Sequence, residues 1–132
     1  MKALKIRKLQ ASEVSFEVSV EQDELEVRGN AIASDDPAFD KQCEDEILAS
    51  LDRGFIEAWC YVKVTATWEG IVGTAGLGAC SFEPGSGANV DKQVQECIEE
   101  HGLRQEALDD LNAEIQRQAD RCLDLLGKLR VR

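Results

Sequence analysis

A chain of 132 residues that is 43% hydrophobic is long and apolar enough to bury the core of one domain without disulfides or a metal, which excludes a disordered chain. No apolar run approaches the roughly 20 residues of a membrane span, and the basic start of the chain lacks the apolar stretch and cleavage site of a secretory signal, so a cytoplasmic protein is expected. The formal net charge of −11 is concentrated between residues 12 and 57, where 14 acids face 3 bases; such a field disfavours direct nucleic-acid binding and attracts basic surfaces.

Val14, Phe16, Val18 and Val20 alternate with Ser15, Glu17, Ser19 and Glu21, the period of a strand with one wet face. Gln22-Asp23 can turn the chain, after which Leu25, Val27, Gly29, Ala31 and Ala33 resume the alternation. With that turn Val20 faces Leu25 and Val18 faces Val27. The register predicts a first hairpin with its apolar residues on one side and Glu17, Glu21, Glu24 and Glu26 on the other.

Ser34-Asp35-Asp36-Pro37 is a helix start, a capping carboxylate followed by proline at the first helical position. Phe39, Cys43, Ile47 and Leu51, with Leu48 beside them, predict a buried stripe, and Asp40, Glu44, Asp45 and Glu46 lie off it. Gly54 suits the C-terminal cap.

A second hairpin is predicted between Glu57 and Phe82. Cys60, Val62, Val64, Ala66 and Trp68 alternate with Trp59, Tyr61, Lys63, Thr65 and Thr67, and Glu69-Gly70 supplies the turn. Gly73, Gly76 and Gly78 thin the last strand, which calls for a close-packed neighbour or a bulge. Glu83-Pro84-Gly85-Ser86-Gly87 is a loop by composition. Val90, Val94, Cys97 and Ile98 predict a short helix that His101-Gly102 interrupts. Leu108, Leu111, Ile115, Cys122, Leu125 and Leu129 then predict a helix of six or seven turns, with Asp109-Asp110 in its first turn. The expected fold is a single α+β domain over residues 1–132 with a long C-terminal helix. Its four-stranded antiparallel sheet runs in ββ-α-ββ-α-α order, with helices packed on the apolar face.

Catalytic chemistry finds little support. The sequence holds no P-loop, Gly-x-Gly-x-x-Gly, His-Glu-x-x-His or nucleophile elbow. The glycines at 73, 76 and 78 fall inside a strand pattern, whereas a phosphate cradle needs a strand-to-helix turn. His101, the sole histidine, sits at a helix break with no adjacent partner motif. The five cysteines are widely spaced, and four of them (Cys43, Cys60, Cys97 and Cys122) fall on apolar stripes. They read as buried, reduced thiols rather than zinc ligands. No cofactor, no metal and no enzymatic activity are expected.

Gly29-Asn30-Ala31, Ala33-Ser34-Asp35-Asp36, the acidic helix ending Ile47-Leu48-x-x-Leu51, the run from Ala58 to Gly70 (AWCYVKVTATWEG) and that from Leu77 to Phe82 (LGACSF) resemble a group of small acidic proteins of phages and prophages. There the last motif has tyrosine where this chain has Phe82. The resemblance covers residues 29–82 and implies a mobile-element origin; no residue roles come with it. By analogy, small acidic phage proteins often act against host defences, as anti-CRISPR proteins do. The expectation is an inhibitory binding protein whose partner is a host defence protein or nucleoprotein complex with a basic, nucleic-acid-binding surface. Glu17, Glu21, Glu24, Glu26, Asp40, Glu44 and Asp45 are the candidate contact acids, and Trp59 and Tyr61 the candidate aromatic anchors. The alternative is an assembly protein, a homodimer joined through the heptad-like spacing of Leu108, Ile115, Cys122 and Leu129.

Overall fold

The computed structural model describes residues 5–83 and 90–131; the first four positions and residues 84–87 of the expected loop lie outside them. Strands β1 (Ser15–Gln22), β2 (Cys60–Trp68) and β3 (Ile71–Cys80) form a three-stranded sheet in the order β1-β2-β3. Helices α1 (Pro37–Asp52), α2 (Val90–Glu100) and α3 (Leu103–Lys128) complete the order β1-α1-β2-β3-α2-α3. The expected four-stranded sheet in ββ-α-ββ-α-α order is thereby corrected: among the described residues the first hairpin does not form.

The reason lies in where the backbone groups of residues 25–31 find partners. The Leu25 N–H donates to the Asp23 carboxylate at 2.9 Å, and the Leu25 carbonyl accepts from the Trp59 indole at 2.7 Å. The Val27 carbonyl accepts from both Asn30 and Ala31 at 3.1 Å, which closes a turn. Gly29 takes a left-handed φ of 81° and gives its N–H to Glu44 at 2.6 Å. These bonds commit the segment to a turn held by Trp59 and Glu44 rather than to a strand ladder, so the apolar alternation continues without one. β1 pairs with β2 instead; the Asp23 N–H donates to the Trp59 carbonyl at 3.1 Å, the end of one strand meeting the start of the other, which sets them antiparallel.

The second hairpin forms as expected. Glu69 and Gly70 both have positive φ, 49° and 76°, the pairing that a two-residue turn between right-twisted strands requires. Val62, Val64 and Ala66 on β2 are wholly buried, while Tyr61 on the alternate face is exposed.

The start of α1 is also as expected. The Asp36 carboxylate accepts from the Ala38 and Phe39 N–H groups, with Pro37 at the first turn. At the other end Gly54, at φ 85°, donates to Leu51 at 2.9 Å and Phe55 donates to Ser50 at 3.0 Å, the two bonds of a Schellman cap. The stripe is corrected. Phe39 is 48% exposed, Cys43, Ile47, Leu48 and Leu51 are half-buried, and the buried residues of the helix are Glu44 and Ser50.

The chain divides into two compact units, one of Met1–Glu17, Val64–Ala75 and Gly102–Arg132, the other of Val18–Lys63 and Gly76–His101. In the first, Leu9, Val64, Ala66, Leu103, Ala107, Leu108 and Leu111 are buried. Here α3 lies so close to β3 that a Cβ on Gly73 would stand 2.1 Å from the Leu111 nitrogen; a glycine is required for that approach. Asp110 accepts the Thr74 N–H at 2.8 Å, and the Asn112 side chain brackets the backbone of Leu9 with bonds of 2.9 and 3.2 Å. Because α3 begins at Leu103, Asp109-Asp110 lies beyond its first turn, and Asp110 caps a strand edge rather than a helix end. In the second unit, Val27, Ala58, Trp59, Cys60, Val62, Cys80, Phe82, Val94 and Ile98 are buried.

Of the cysteines, Cys60 and Cys80 are buried, Cys43 and Cys97 half-buried, and Cys122 exposed. Cys122 thus corrects the expectation of burial, since no residue of α3 beyond Leu111 is buried, and Cys43 and Cys97 meet it only in part.

Candidate functional site

The second unit holds most of the expected contact residues, and their side chains fall into two groups. Those of α1 are engaged by the protein itself. Glu44 is 8% exposed; besides Gly29 it holds Arg28 at 3.3 Å. Asp45 pairs with Arg28 and, at 2.9 Å, with Lys41; Lys41 and then Arg28 keep its carboxyl below the usual carboxylate range. Asp40 accepts the Ser34 hydroxyl at 2.6 Å and the Ser34 N–H at 3.1 Å. These three acids fasten the segment after β1 to the helix. Glu44, expected on a wet surface, is a buried acceptor, and Glu44→Lys would bury a cation against Arg28.

The acids around the end of β1 are different. Glu21, Glu24 and Glu26 are exposed, and none makes an ion pair among the described residues. Glu17, also exposed, falls in the other compact unit. The backbone that presents Glu21, Glu24 and Glu26 is fixed from beneath. Asp23 bridges the turn: one carboxylate oxygen accepts from Leu25, the other from Ala79 at 2.7 Å. The Ala79 and then the Leu25 amide hold that carboxyl below its ordinary range. Ala79 has a left-handed φ of 54°, which turns its N–H toward Asp23.

The two aromatic candidates separate in the same way. Trp59 is 2% exposed and its indole N–H is taken by the Leu25 carbonyl, so it is corrected from an exposed anchor to a support beneath the turn. Tyr61 is 38% exposed. Its ring lies over the glycines of β3: a Cβ on Gly76 would meet the phenol oxygen at 1.8 Å, and one on Gly78 would lie 3.5 Å from the ring and 3.0 Å from Asp23. The glycines make room for an aromatic platform close to the Asp23 clamp.

Sequence reasoning missed Asp23, Arg28 and the inward role of Glu44. Only Asp23 left a local signal, since an aspartate that opens a turn commonly accepts the N–H two residues on.

Two of the cysteine thiols are muted. Burial pushes the Cys60 thiol up to about 12 and the Cys80 thiol up to about 11, so both stay protonated at neutral pH and are poor nucleophiles and ligands. Among the described residues no group of three or more His, Cys, Asp or Glu is arranged to hold a metal. An open groove beside α1, of about 480 Å³, is lined by Cys43, Ile47, Ser50 and Phe82 together with Glu46 and Glu83. Its lining includes neither a histidine nor a cation. No helix of the described residues is long and apolar enough to cross a membrane. No family model, curated protein or solved structure matches this chain.

Proposed function

We propose that this chain is an inhibitory binding protein of phage or prophage origin that occupies a basic, nucleic-acid-binding site on a host defence protein or nucleoprotein complex, as anti-CRISPR proteins do. The observation that carries the reading is the set of exposed acids at Glu21, Glu24 and Glu26, unpaired within the described chain and presented by a backbone that Asp23, Trp59 and Glu44 fix. A preformed array of this kind loses little freedom on binding, and its field speeds encounter with a cationic surface. Tyr61 supplies an aromatic contact nearby. The resemblance over residues 29–82 supports the mobile-element origin, and action in the host cytoplasm without cofactor or catalysis follows from the same reading.

The test is capture of partners from a bacterial host lysate, with the bound proteins identified by mass spectrometry and the complex then challenged with the partner's own nucleic acid. The reading expects a nucleic-acid-binding defence component that is displaced by its nucleic acid. It also expects release as salt rises, because exposed charges are screened over about 8–10 Å at physiological ionic strength. A partner that binds equally well at low and high salt and retains its nucleic acid would contradict it.

A further inference from the structure

The second half of α3 poses a separate problem. Within its own unit the helix buries Leu103, Ala107, Leu108 and Leu111 and nothing later, yet the apolar spacing continues. Ile115, Cys122 and Leu129 recur every seven residues with Leu125 between them, the seam of a paired helix. Leu125 is 43%, Leu126 64% and Leu129 77% exposed. An exposed apolar face of this kind marks an interaction surface.

The charges select what covers it. From Leu103 to Glu114 the helix carries Glu106, Asp109, Asp110 and Glu114 against Arg104 alone; from Ile115 to Lys128 it carries Arg117, Arg121 and Lys128 against Asp120 and Asp124, and Arg130 follows its end. The helix is acidic in its first half and basic in its second. A parallel copy would set like against like, whereas an antiparallel copy sets each basic end toward the other's acidic half.

We propose that the second half of α3 is a self-association seam on which a second copy of this chain packs antiparallel about a two-fold axis. Heptad geometry then places Ile115 opposite Leu125 of the other copy and Gln118 opposite its Cys122, each contact occurring twice. Lys128 flanks Glu114 of the other copy, adding to the pair that Glu114 makes with Arg117 of its own chain at 2.6 Å. It is free to do so, since its contact with Asp124 is a 3.6 Å pair between side chains about 70% exposed. Arg121 meets its own counterpart across the axis, the one unfavourable contact. The inference does not rest on the acidic site, which lies in the other unit.

Sedimentation equilibrium of the full chain over a wide concentration range tests it, and a mass of two chains is expected. Leu125→Asp should give a monomer with an unchanged far-ultraviolet circular dichroism spectrum, because Leu125 is exposed in the single chain. Lys128→Glu should weaken the dimer by about tenfold and Glu114→Lys/Lys128→Glu should restore it, as a double-mutant cycle across a charge pair requires. Arg121→Gln should tighten it. Under mild oxidation Gln118→Cys should cross-link to Cys122 of the other copy. A single-chain mass at every concentration, a dimer indifferent to Leu125→Asp, or a Lys128→Glu loss that Glu114→Lys does not repair would each overturn the proposal.

Discussion

The acids of α1 and the acids at the end of β1 look alike in the sequence and do opposite things in the structure. Asp40, Glu44 and Asp45 are spent on bonds within the protein: a serine, a glycine N–H, Arg28 and Lys41. Glu21, Glu24 and Glu26 face solvent on a turn that those bonds help to hold. A negative net charge therefore says little about a binding surface until each carboxylate has been assigned a partner or none. Only the second group is free to recognise something else, and the first group is part of why it is rigid enough to do so.

The largest effect comes from the ring beneath the turn. Trp59→Ala removes the ring under the turn and the bond to the Leu25 carbonyl; a buried tryptophan truncation costs about 3–5 kcal/mol, and urea unfolding should show it. The exposed-anchor reading of Trp59 would instead leave stability unchanged and speed dissociation of a partner.

Glu44→Ala comes next. It leaves the Gly29 N–H without its acceptor and Arg28 without one of its two partners, a loss of about 2–3 kcal/mol for a buried charge-assisted hydrogen bond. In native-state hydrogen exchange the Gly29 amide should lose protection more than the amides of β2.

A smaller effect appears in acid. Asp23 and Asp45 have carboxyls held below their ordinary range in the folded protein. Each therefore contributes stability that is fully present above the unfolded aspartate value of about 3.9 and is lost as the pH falls through the folded value. Asp23→Asn and Asp45→Asn should each flatten the decline of stability below about pH 4, read as the slope of the urea midpoint against pH. An acid limb as steep in both variants as in the parent would mean that these bonds are not made in solution.

Much of the fold was legible because its signals are local. Asp36-Pro37 and Gly54 bound α1, Glu69-Gly70 joins β2 to β3, and His101-Gly102 divides α2 from α3. The glycine at 73 was readable as a close approach, though not which element approached. What misled was an alternation that persisted past residue 23 with no ladder to support it. The bonds that decide that segment reach from Leu25 to Trp59 and from Gly29 to Glu44, across 34 and 15 positions, and no period or propensity encodes them. Trp59 shares the strand parity of Tyr61, but it lies just before β2 begins, where it serves as the end of the Ile56–Ala58 turn. Parity therefore could not place it. Glu44 sits one position off the Phe39–Cys43–Ile47–Leu51 stripe, which reads as solvent for a helix packed on an apolar core; α1 packs half-buried, with its acids serving the neighbouring loop.

Charge reversal at matched net charge separates a binding site at the end of β1 from a diffuse negative field. Glu21→Lys/Glu24→Lys/Glu26→Lys changes the array. Glu96→Lys/Glu99→Lys/Glu100→Lys makes the same change in net charge on α2, where all three acids are exposed. All six are surface substitutions, and each should alter stability by no more than about 0.5 kcal/mol, so both variants should fold. The measurement is association with the captured partner at two salt concentrations. The account predicts that the first variant loses the fast, salt-sensitive association and the second keeps most of it. Equal losses in both would mean that the charge acts only as a diffuse solubilising field, and would contradict a binding site at the end of β1.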